Sequence, residues 1–133
     1  MAEGVGVWML HVDRTTLEGP VDEQMLSAVR RAISASHGEI WLEHQQGPIL
    51  GIVIGGNRAM VLRLAESGDA GFHAIDPEAS PERSGEYVLA NGQVDQYADR
   101  DTVEVRHVVP IVTHFLASLD RWSGVTWQDD NAI

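Results

Sequence analysis

The sequence contains neither cysteine nor lysine. Without cysteine there is no disulfide, thiol nucleophile, zinc finger or iron–sulfur cluster. Nothing in the chain calls for an oxidising compartment. Without lysine, all nine basic residues are arginine, and a Walker A phosphate loop is excluded. No apolar run approaches the ~18 residues of a membrane span. The first residues, Met1-Ala2-Glu3-Gly4-Val5-Gly6, carry no basic segment, and Val7-Trp8-Met9-Leu10 is too short for the apolar part of a signal peptide. A cytoplasmic protein is therefore expected.

What the chain has is acid. Twenty aspartates and glutamates face nine arginines, for a formal charge of −11. Nucleic acids and anionic membranes need a cationic footprint and are poor partners for such a chain. A basic protein is a good one, because complementary fields speed encounter. Residues 1–133 suffice for one domain with a core of its own.

The hydrophobic pattern predicts an α+β fold. Residues 5–12 read as a first strand, followed by a turn at Asp13-Arg14-Thr15-Thr16. A helix is predicted over residues 20–36. Pro20 suits its first position, Asp22 and Glu23 suit the positive end of its dipole, and Met25, Leu26, Val29, Ala32 and Ile33 form its stripe. Gly38 reads as the glycine beyond its end. Short strands follow at residues 39–44, 49–54, 58–64 and 71–75, separated by turn residues that include Gly55-Gly56-Asn57. Residues 76–85 read as a loop, residues 86–90 as a strand, and residues 93–97 as a short pairing beyond Asn91-Gly92. The pattern gives an antiparallel meander sheet, packed by an N-terminal and a C-terminal helix.

The C-terminal helix has two readings. Asp101-Thr102-Val103-Glu104 matches a capping box and predicts a helix over residues 102–119. Pro110 would kink that helix at a cost of ~3 kcal/mol. The alternative is a strand over residues 103–107 and a helix starting at Pro110. The kinked helix is favoured. After a turn at residues 120–124, Val125-Thr126-Trp127 forms a short strand that closes the sheet.

Motifs for chemistry are sparse. The six histidines, His11, His37, His44, His73, His107 and His114, show no metal-ligand spacing. Gly51-Ile52-Val53-Ile54-Gly55-Gly56-Asn57 is glycine-rich but is better explained by a hairpin turn than by a nucleotide loop. The acids around Asp95, Asp99, Asp101 and Glu104 read as a solvated face rather than a catalytic pair. No enzyme activity, metal or cofactor is expected. Trp8 and Trp41 fall in apolar strands and read as core, as mostly does Trp127, whereas Trp122 sits in a polar turn.

Residues 40–127, about two thirds of the chain, resemble the Imm1 family of bacterial immunity proteins. The resemblance is carried by an apolar strand running into Gly55-Gly56-Asn57, the strand Ala59-Met60-Val61-Leu62, and then Glu86-Tyr87-Val88-Leu89-Ala90-Asn91-Gly92. It ends with Phe115-Leu116 ahead of a turn and Val125-Thr126-Trp127. The resemblance implies an α+β protein that binds and neutralises a cognate secreted or contact-delivered toxin, often a nucleic-acid deaminase or nuclease, and has no catalytic residues of its own. The acid excess suits occlusion of a toxin with a basic active-site surface. Trp122, Asp129, Asp130, Asp95 and Asp99 are the candidate toxin-binding residues. The alternative is an acidic secretion chaperone or adaptor that binds an extended segment of an effector.

Overall fold

The computed structural model describes residues 8–19 and 23–131. Ten strands and two helices make it up: β1 (Trp8–Val12), β2 (Thr15–Gly19), α1 (Glu23–Ser34), β3 (His37–His44), β4 (Ile49–Gly55), β5 (Arg58–Leu64), β6 (Phe72–Ile75), β7 (Ser84–Val88), β8 (Val94–Ala98), β9 (Val103–Glu104), α2 (Val108–Ser118) and β10 (Thr126–Asp129). The fold is the α+β arrangement the pattern predicts. Eight strands form one antiparallel sheet in the order β10-β6-β5-β4-β3-β1-β2, with β9 joined to β5. β7 and β8 form a separate hairpin.

Alternation along the strands decides which side chains meet the helices. In β3, Ile40, Leu42 and His44 are buried, while Glu39, Trp41 and Glu43 between them are partly exposed. The register carries this face across the sheet through Leu10, Leu42 and Leu50. Both helices lie on it. Ala28, Val29 and Ala32 from α1 join Val108, Ile111, Val112 and Phe115 from α2 in one core with Leu10, Ile40 and Ile52. The small alanines of α1 let the helix approach the sheet closely. Each fully buried aliphatic side chain contributes ~1.5–3 kcal/mol. Trp8 belongs to the same core, edge-on to the Phe115 ring at 5.6 Å.

The opposite face is only partly covered. The β7–β8 hairpin sits over one end of it, where the Tyr87 ring occupies the space a Cβ at Gly55 would need. Glu39 ties the hairpin down by accepting a hydrogen bond from the Ala90 N–H at 2.9 Å.

Three expectations are corrected, and a fourth lies partly outside the described residues. Thr15 and Thr16 do not belong to a turn: they start β2, paired with Val12 and His11, because β-branched residues suit a strand. The left-handed residue beyond α1 is Ser36, at φ 64°, not Gly38, which starts within β3 and extends its pairing to Ile54. The described part of the first helix runs from Glu23 to Ser34, and the expectations for Pro20 and Asp22 lie outside the described residues. The capping box does not form. Val103 and Glu104 pair with Ala59 and Arg58 as a strand, because burying Val103 in the core outweighs a helical start there.

A helix then starts at Val108, nearer to the second reading than to the first. Pro110 is its third residue. A proline there removes an N–H that has no partner within the helix, so α2 carries it without a break in its bonding.

Candidate functional site

The C-terminal end of the chain gathers three of the five residues singled out above. α2 stops at Leu119, which takes a left-handed conformation at φ 63°. The Leu119 carbonyl accepts two bonds from the Arg63 guanidinium, at 3.2 Å and 2.7 Å. A cation is favoured at that end of a helix. The Arg121 guanidinium then stacks over the Phe72 ring, 3.7 Å from its centre. The chain is thus anchored twice before it reaches Trp122.

Trp122 is half-buried and packs against the core. Its ring fills the space beside Gly124, where any Cβ would collide with it. It also stands 5.9 Å from the His107 ring. The Trp122 carbonyl accepts the indole N–H of Trp127 at 2.8 Å, so the two tryptophans are locked together. Trp127 packs on the core as expected. Trp122 therefore acts mainly as a cover over the end of the core.

Beyond β10, Asp129 is exposed and its carboxylate accepts the Asn131 N–H at 2.9 Å. Asp130 turns back to β6. Its backbone N–H donates to the Gly71 carbonyl, and its carboxylate lies 2.8 Å from Nδ1 of His73. Asp101 takes the other ring nitrogen, Nε2, at 3.0 Å.

With a carboxylate on each nitrogen, the imidazole satisfies both contacts only as the doubly protonated cation. Burial works against that charge. The hydrogen bonds to Asp130 and Asp101 outweigh it and hold the His73 pKa above its ordinary value. Neither ring nitrogen is left free to act as a general base, so the cluster works as a clamp. It joins β6 to the chain end and to the turn at Asp99–Asp101.

Asp95 and Asp99 take different places. Asp95 lies on β8, where its carboxylate accepts bonds from the Tyr97 hydroxyl and from Gln93, both at 2.7 Å. These bonds, Tyr97 first, lower its pKa. Burial and the Asp95 charge push the Tyr97 hydroxyl far above its usual range. At Asp99 it is the backbone carbonyl that is used, accepting from Thr102 Oγ1 and from Arg58. Arg58 also donates to Asp76 at 2.8 Å and to Thr102 Oγ1 at 2.7 Å, fixing the loop after β6 against the start of β5. The five residues thus do not form one patch: Trp122, Asp129 and Asp130 lie at the closing end, and Asp95 lies on the hairpin.

Sequence reasoning missed the clamp itself. His73 is 28 residues from Asp101 and 57 from Asp130, and only the sheet register brings them together. Among the described residues, no three histidine, aspartate or glutamate side chains are grouped to hold a metal ion. The larger concavities are open. One of 360 Å³ lies between α1 and the β1–β2 hairpin, lined in part by Asp13, Arg31 and His37, and a neighbouring one of 430 Å³ reaches the hairpin at Val88. No described helix is long and apolar enough to cross a membrane. In comparisons with known proteins, no family profile matches the chain and no curated protein sequence is similar to it.

Proposed function

We infer that this protein is an immunity protein, which binds a cognate secreted or contact-delivered toxin domain and keeps it from acting on the cell that makes it. The toxin of this reading acts on nucleic acid, as a deaminase or nuclease. Inhibition is by steric and electrostatic occlusion, without catalysis by the inhibitor. The observation that carries the reading is the charge of −11 on a chain this short. A domain that acts on nucleic acid needs a cationic groove. An inhibitor of opposite sign is steered to that groove at up to ~10⁸–10⁹ M⁻¹s⁻¹ at low salt. The resemblance to the Imm1 family over residues 40–127 points the same way.

The fold suits a binding role. Both ring nitrogens of His73 are engaged by carboxylates, so this cluster serves to hold Asp130 against β6.

Co-expression tests the reading. The toxic domain encoded by the adjoining gene should arrest growth alone and fail to do so together with this protein. Unchanged killing overturns the reading. Binding confined to an extended segment outside the folded toxic domain overturns it in favour of a secretion chaperone.

A further inference from the structure

The sheet face turned away from the helices carries apolar side chains that the core does not use. Register places Met9, Trp41, Met60 and Leu62 on this side, since Glu43 pairs with Met9, Trp41 with Gly51, and Gly51 with Leu62. All four are partly exposed, and none belongs to the helix-side core or packs against it. The β7–β8 hairpin reaches only one end of the face, at Gly55 and Glu39.

The centre of the face is held rigid. Three Trp41 ring atoms lie within 2.8 Å of where a Cβ of Gly51 would stand, so the ring rests directly on the β4 backbone. The indole N–H donates to Glu39 at 2.7 Å, and the second oxygen of that carboxylate is taken by Ala90. A tryptophan fixed before binding loses little entropy on binding, which is how interface anchors work.

The rim of the face is acidic. Glu18 on β2, Glu43 on β3 and Asp130 beside His73 all fall on this side by register and contact. Arg58 is the one arginine that the described strands place here, and it is engaged by Asp76; the His73 cation also falls on this side and is engaged by Asp130 and Asp101. His11 is engaged by Glu43 at 3.0 Å.

Resting on the reading as a toxin-binding protein, we propose that this open sheet face, centred on Trp41, Met60 and Leu62 and rimmed by Glu18, Glu43 and Asp130, is the surface that receives the folded toxin domain, through a basic patch around an apolar protrusion. Charge selects this occupant. A phosphate backbone is repelled by the rim. A second copy of the chain would set one acidic rim against another. A basic protein surface gains from both the rim and the apolar centre.

Two double variants with the same change in charge test the assignment. Glu18→Arg with Glu43→Arg alters the open face; Glu23→Arg with Asp120→Arg alters the helix side. Each is first shown to be folded by its thermal transition. Affinity for the catalytically inactivated toxic domain of the adjoining gene is then measured across a salt series. The face variant should bind at least ~10-fold more weakly at low salt and show a flatter salt dependence, while the helix-side variant retains most of its affinity.

Hydroxyl-radical footprinting of the unaltered complex should show Trp41 and Met60 protected. Equal losses in the two variants, or unprotected Trp41 and Met60, overturn the assignment. So does a concentration-dependent dimer of the protein alone that the face variant abolishes. If the unaltered protein does not bind the toxic domain at all, the functional reading fails as well. If it binds and the face variant behaves like the helix-side variant, only the assignment of the face is wrong.

Discussion

Trp41 and Gly51 stand opposite one another on neighbouring strands, and the Trp41 ring occupies the space a side chain at Gly51 would take. An ideal Cβ at Gly51 lies 2.5 Å from Cζ3 of Trp41. Gly51 lies on a central strand, so the backbone has little room to yield. Gly51→Ala should lift the ring, weaken the indole bond to Glu39, and cost about 1–3 kcal/mol, as overpacking does. Urea unfolding gives the loss. The Trp41 indole N–H resonance should move, whereas those of Trp8 and Trp127 stay in place. An unmoved Trp41 signal would show that the contact is soft.

Pro110 is tolerated because of where α2 begins. As the third residue of the helix it gives up an N–H without an intrahelical partner, and its fixed φ suits the first turn. Pro110→Ala should therefore change stability by less than ~1 kcal/mol. Thr113→Pro, on an exposed position one turn further on, removes a bond within the helix and should cost ~3 kcal/mol or more. Comparable losses in the two variants would put the start of the helix elsewhere.

The same proline shows what the sequence can reveal. Strand alternation and turn residues predict β3 to β6 almost residue for residue, because each is a local signal. The start of α2 is not local. Val103 forms a strand because Ala59 on β5 is there to pair with it. Asp101 bonds His73 rather than capping a helix. The His73 clamp is likewise invisible in spacing, since its three members come from β6, the turn after β8 and the chain end. Trp41, expected in the core from its apolar neighbours, is instead partly exposed and lies outside it. Its place between Ile40 and Leu42 puts it on the opposite face from both, and period-two alternation alone implies that it points away from the helices.

Ser36 follows α1 in the left-handed region at φ 64°, a conformation that costs a residue with a Cβ about 1–2 kcal/mol. Its N–H donates to Ile33 and its carbonyl accepts from Gly56, so the backbone there is fixed at both ends. The side chain is exposed. Ser36→Gly keeps every backbone bond and relieves the strain, offset by the larger freedom of glycine in the unfolded chain. The expected gain is about 0.5–1 kcal/mol, read as a higher urea midpoint. Ser36→Ala should give no gain.

His73 should make stability depend on pH in one direction. Its folded-state pKa is raised from the ordinary 6.5, because the bonds to Asp130 and Asp101 outweigh burial. Below pH 6.5 the imidazole is protonated in both the folded and the unfolded chain, and the clamp contributes in full. As pH rises, the unfolded chain releases its proton first, while the folded chain keeps it until its own, higher value is passed. The stabilisation declines across that interval and is gone above it. The expected result is that unfolding free energy, followed from pH 6 to pH 9, falls more steeply in the unaltered protein than in His73→Gln. The difference between the two should be largest at the acid end. The order of events in the structure should follow, with amide exchange at Asp130, whose N–H donates to Gly71, speeding up as the clamp loses its proton. Parallel pH curves for the two proteins would show that the imidazolium does not hold the chain end in place.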